Sequence, residues 1–95
     1  MRVKVKFVGG LRSLVGQSEI QLKLEREMAS LSEAINKMVE ELPELKKAII
    51  DSELGDPRPN ALIIVNGKEI GVLNGLETVL RDGAEIVFLT VSHGG

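Results

Sequence analysis

LRDGAEIVFLTVSHGG, residues 80–95, runs from a turn through a strand to the end of the chain. Asp82-Gly83 is a turn dipeptide, because glycine reaches the positive φ that tight turns need. EIVFLTV, residues 85–91, is then rich in β-branched and aromatic residues. Ile86 and Phe88 alternate with Val87 and Leu89, so both faces of this strand are apolar. A strand of that kind belongs in the middle of a sheet, with one face packed beneath a helix. The sequence ends Val91-Ser92-His93-Gly94-Gly95, with Val91 shared between this ending and EIVFLTV.

The chain opens MRVKVKFV, in which Val3, Val5 and Phe7 alternate with Arg2, Lys4 and Lys6. That is the period of a half-buried strand. Gly9-Gly10 interrupt it, and Leu11 to Val15 reads as a short helical turn before Gly16. EIQLKLE repeats the alternation, with Ile20, Leu22 and Leu24 on one side, so the first two strands form an antiparallel pair. The period then changes. Leu31, Ala34, Ile35, Met38, Val39 and Leu42 fall at steps of three and four, the stripe of an amphipathic helix. Ser30 and Glu33 have the spacing of a capping box, and Pro43 ends the helix. ELKKAII reads as a second short helical piece, and DSELGDPRPN as an exposed loop.

ALIIV, residues 61–65, is continuously apolar and reads as a strand buried on both faces or lying centrally in its sheet. Asn66-Gly67 predicts a two-residue hairpin into a short strand at Lys68-Glu69-Ile70. Leu76 to Leu80 reads as a single helical turn. The order is β-β-α-β-β-β, an α+β fold. A mixed sheet of four to five strands would carry one main helix across one face. The first and last strands pair in parallel at its centre, with the helix in the crossover. Residues 1–90 make the domain and residues 91–95 a flexible tail.

Ninety-five residues fit one domain, and 43% apolar with 27% charged residues is the composition of a folded chain. The net charge of −2 does not match a nucleic-acid-binding surface, and no apolar run is long enough to cross a bilayer. With no charged-then-apolar leader either, the expected compartment is the cytosol. There is no cysteine and one histidine, His93, which rules against thiolate zinc sites, a cysteine nucleophile and a Ser-His-Asp triad. With no Trp, no Tyr and two Phe there is no aromatic platform for bases. Gly9-Gly10, Gly16 and NGKEIG lack the spacing of a phosphate loop and read as turns.

Attention therefore falls on the terminus. A carboxylate is a poor electrophile until it is activated, for example as an acyl-adenylate with pyrophosphate as leaving group. The carboxylate of Gly95 is suited to that role in the cleft of a separate enzyme that supplies ATP and magnesium. Glycine at positions 94 and 95 keeps the thread slim, and five extended residues reach roughly 16–18 Å. His93 is a solvated tail residue or a contact in a partner's channel. Val87 and Leu89 are either covered or part of a docking patch that continues into Val91 and Ser92.

The sequence resembles the ubiquitin-like β-grasp sulfur carriers and modifiers: MoaD, ThiS, the archaeal SAMP proteins and the eukaryotic ubiquitin-related modifier. The resemblance runs from MRVKVKF through LRSLVG and the helix to LRDGAEIVFLTVSHGG, whose leucine, D-G turn, EIVF strand and terminal G-G occur in register. The H-G-G ending is most similar to the ubiquitin-related modifier. The resemblance implies a β-grasp fold and a protein that is a substrate of an enzyme, not a catalyst. Gly95 would be adenylated by a ubiquitin-activating-like adenylyltransferase and converted to a thiocarboxylate, with sulfur from a donor protein. No cofactor would be bound. The recipient would be a tRNA thiolation enzyme or the large subunit of molybdopterin synthase, and some members of the family are joined to lysines of target proteins. Two alternatives stand beside this: a dedicated small subunit of molybdopterin synthase, and a β-grasp interaction module without terminal chemistry. Direct contact with nucleic acid or membrane is not expected.

Overall fold

The computed structural model describes residues 1–90, so the expected tail at 91–95 lies outside the described residues. The elements are β1 (Arg2–Val8), α1 (Gly10–Val15), β2 (Glu19–Lys23), β3 (Met28–Ser30), α2 (Leu31–Glu41), α3 (Glu44–Ile49), β4 (Ala61–Val65), β5 (Lys68–Glu69), β6 (Val79–Arg81) and β7 (Glu85–Thr90). Two 3₁₀ turns, Ile70–Val72 and Gly75–Glu77, lie between β5 and β6.

Five strands form the main sheet in the order β2-β1-β7-β4-β5. β7 is central: it runs parallel to β1, with Val5 opposite Ile86 and Phe7 opposite Phe88, and antiparallel to β4, with Ile63 opposite Phe88. The expected parallel pairing of first and last strands is therefore present. Its inward row, Val3, Val5, Phe7, Ile63, Val65, Ile86 and Phe88, is at most 2% exposed. Phe7 and Phe88 stack with centroids 6.3 Å apart. Leu31, Ala34, Ile35 and Met38 of α2 join this core, which is the stripe predicted by the helical period.

The start of α2 is fixed by the expected capping box. The Ser30 hydroxyl accepts from the Glu33 N–H at 3.1 Å, and the Glu33 carboxylate accepts from the Ser30 N–H at 3.3 Å. Such caps contribute about 1 kcal/mol. The helix ends at Glu41, two residues before Pro43, and α3 follows with Leu45 and Ile49 buried.

Three local readings are corrected. Residues 79–81 are not the end of a helical turn but strand β6, which pairs antiparallel with β3 in a second, two-stranded sheet. Only Gly75–Glu77 of that region is helical. Ile70 does not extend β5; it buries its side chain as the first residue of a 3₁₀ turn. β4 lies inside the sheet, between β7 and β5, but it is not covered on both faces, because Leu62 is 40% exposed. The helices pack on one face of the sheet, and the alternate residues of β4 face away from them.

Candidate functional site

The outer face of the sheet is the surface on which the chain reaches residue 90. β7 turns Val87 and Leu89 to this face, and both are half-buried. Strand register sets their neighbours. Leu89 lies between Val8 of β1 and Leu62 of β4, and Val87 between Lys6 and Ile64. Val8 is 44% exposed, so Val8, Leu62, Ile64, Val87 and Leu89 form one apolar strip across three strands. The strip is not fully covered, so the reading of Val87 and Leu89 as covered strand residues does not hold. Their flanks shield them partly, while the strip as a whole faces solvent.

Val8, Leu62 and Ile64 were not expected to take part. The signal for them was present in the sequence. Val8 breaks the polar alternation of Arg2, Lys4 and Lys6, and ALIIV is apolar at every position. Two apolar faces on two neighbouring strands imply an apolar strip wherever one face lacks a helix.

Charges border the strip. Lys6 Nζ lies 3.3 Å from Glu85, and Lys4 Nζ lies 3.8 Å from Glu19. Lys4 and Lys6 of β1 are thus matched by carboxylates of β2 and β7. All four side chains are about 40–47% exposed, so these pairs are screened and contribute little to stability.

The end of β7 is held by its neighbours. Thr90 pairs with Ala61 of β4, and Gly10 at the start of α1 lies beside it: a Cβ there would stand 4.0 Å from the Thr90 hydroxyl. Gly9, with φ 67°, turns the chain sharply from β1 into α1. Residue 90 therefore leaves a rigid central strand at the rim of the apolar strip. Val91, Ser92, His93, Gly94 and Gly95 lie outside the described residues.

Among the described residues no three acidic or histidine side chains could hold a metal ion, and no helix is long and apolar enough to cross a membrane. Thr78 is the only polar residue among them that is buried, and its hydroxyl donates to the Gly75 carbonyl at 2.7 Å. Asp56 stands out electrostatically, held below the usual carboxylate range by its hydrogen bonds from Arg58. That pair braces the loop before β4.

The family described as Urm1 (Ubiquitin related modifier) matches residues 2–95. Ubiquitin-related modifier 1 of Schizosaccharomyces pombe is 31% identical over 100 residues, covering all of both chains. Small archaeal modifier protein 3 of Haloferax volcanii is 27% identical over 95 residues, covering 99% of this chain and all of that protein. The solution structure of small archaeal modifier protein 1 from Methanosarcina acetivorans superposes with a TM-score of 0.81 at 32% identity. That match covers 99% of this chain and 96% of the other.

Proposed function

The chain belongs to the ubiquitin-related modifier family, and on that premise we propose that it is a carrier and modifier whose reacting group is the carboxylate of Gly95. The observation that carries this reading is the extent of the family match, which runs through the terminal Gly94-Gly95. A carboxylate oxygen of Gly95 attacks the α-phosphate of ATP, held with magnesium by a ubiquitin-activating-like enzyme. Pyrophosphate leaves, and the acyl-adenylate is then open to a nucleophile. Hydrosulfide delivered by a donor protein attacks the acyl carbon and displaces AMP to give the thiocarboxylate. Its sulfur passes on at the sulfide level to a thiolation enzyme as water restores the carboxylate, while attack by a target lysine amine on the adenylate would displace AMP to give an isopeptide. Having no cysteine, the chain holds no persulfide of its own, so the sulfur must sit on the terminal carbonyl.

The apolar strip of Val8, Leu62, Ile64, Val87 and Leu89 is the docking surface in this reading. It lies beside the point where the tail leaves β7, so an enzyme seated on it has residues 91–95 within reach of its cleft. Val91, Ser92 and His93, which follow in sequence, are the further docking residues of this reading. The family match and the H-G-G ending favour transfer to a tRNA thiolation enzyme over a dedicated place in molybdopterin synthase.

Deleting Gly95, or adding one residue after it, tests the assignment of the reacting group. Both variants should keep the circular dichroism spectrum and melting curve of the parent and lose ATP–pyrophosphate exchange with the activating enzyme. Full exchange by the extended chain would refute the assignment.

A further inference from the structure

The edge strand β2 carries a charge pattern that reads the same way for a second copy of itself. β2 is the outer strand of the five-stranded sheet, and its sequence is Glu19-Ile20-Gln21-Leu22-Lys23. Hydrogen bonds to β1 fix which backbone groups face outward. The Leu24 N–H donates to the Met1 carbonyl and the Phe7 N–H to the Ser18 carbonyl, both at 2.9 Å. Even-numbered residues of β2 therefore bond to β1. The alternation of an antiparallel ladder turns the N–H and C=O of Glu19, Gln21 and Lys23 to the open edge.

We propose that β2 pairs antiparallel with β2 of a second copy, centred on Gln21, to make a continuous ten-stranded sheet. In this register Gln21 faces Gln21, and Glu19 faces Lys23 at both ends. All three pairings fall on outward-facing residues, so each closes two backbone hydrogen bonds. Glu19, Gln21 and Lys23 are exposed on the outer sheet face, where directly opposed side chains meet. Slipping the register by two residues loses both opposite-charge pairs, and slipping by one puts inward-facing residues opposite outward ones.

Charged residues on an edge strand ordinarily keep edges apart. A row of one sign does so in any register, whereas this row has one of each sign, placed symmetrically about a neutral centre. Within one copy, Lys23 lies opposite Arg2, a like-charge pair that a facing Glu19 relieves. Ile20 is half-buried, and the residue it faces in the other copy, Leu22, is fully buried in its own core, so the backbone and charge pairs carry the interface. The net charge of −2 per chain opposes the approach only weakly. β7 lies two strands from the edge and runs antiparallel to its counterpart across the two-fold axis. The two residues 90 therefore stand at opposite ends of the joint sheet, and both apolar strips stay open.

Sedimentation velocity in low salt, from about 10 μM to about 1 mM, covers the range in which an interface this small dissociates. The parent chain should pass reversibly from 10.3 kDa to twice that mass. Lys23→Glu sets like charges opposite each other at both ends and should weaken the dimer roughly tenfold or more. Adding Glu19→Lys should restore it, because the pattern is then complementary with its signs exchanged. Gln21→Pro removes the two central outward donors and should leave a folded monomer, as proline is tolerated where an edge N–H faces solvent. A parent that stays monomeric throughout overturns the proposal. So does a dimer indifferent to Lys23→Glu, or one that the double exchange does not recover.

Discussion

Asn66 has a φ of 49°, and it is the only non-glycine residue among those described with a positive value. Its N–H donates to the Glu85 carbonyl and its side-chain oxygen accepts from the Glu85 N–H, both at 2.9 Å. One residue thus makes the hairpin turn and ties it to the start of β7. Asn66→Ala loses the side-chain acceptor and adds strain, and should cost about 1–2 kcal/mol in urea unfolding. Asp56 acts through charge. Its folded-state pKa is lowered by the hydrogen bonds from Arg58, so its contribution is fully present above the ordinary carboxylate value. It is lost as pH falls through its own, lower value. Asp56→Asn should therefore flatten the acid limb of a stability–pH curve below about pH 4 and leave its shape at neutral pH unchanged. Both roles were half visible in the sequence. Asn-Gly announced the turn, but the clamp onto Glu85 joins residues far apart in the chain and has no local signature.

Elements with several turns or alternations were legible, and three-residue elements were not. α2 showed five stripe positions, continued by Leu42 at its C-cap, and a capping box, and β1 three full alternations, so their faces followed from period alone. β6 offers three residues with one buried side chain, Leu80, and that is too little to display a period. Leu76, Val79 and Leu80 also stand three and four apart, which fits a helix equally well until the pairing with β3 decides it. β4 was legible as an interior strand but not in its cover. An apolar run says that both faces avoid charge, and says nothing of whether a second layer covers them. β7 is where the fold is most exposed to damage, since Phe88 is 0% exposed between β1 and β4. Phe88→Ala should cost about 3–5 kcal/mol, enough to unfold much of a domain this small. A drop in melting temperature of only a few degrees would mean that the core collapses around the gap.

The assembled domain presents a helix-covered side that is closed and a sheet side that is open. The position of the candidate site was readable from sequence to the extent that β7 was recognised as central and the glycines as terminal. The strip beside it needed the register, because Val8, Leu62 and Leu89 become neighbours only when β1, β4 and β7 are aligned. If that strip docks the activating enzyme, Leu62→Glu should lower kcat/KM for adenylation about tenfold or more while leaving the melting temperature within a few degrees. Unchanged kinetics would move docking to another face. The terminal chemistry itself is tested by intact mass spectrometry of the purified chain after incubation with ATP, magnesium, the activating enzyme and a sulfur donor. The expected result is a gain equal to replacing one oxygen by sulfur, with fragment ions placing it on Gly95. An unchanged mass, under conditions where the same enzyme loads another carrier, would contradict the assignment of Gly95 as the reacting group.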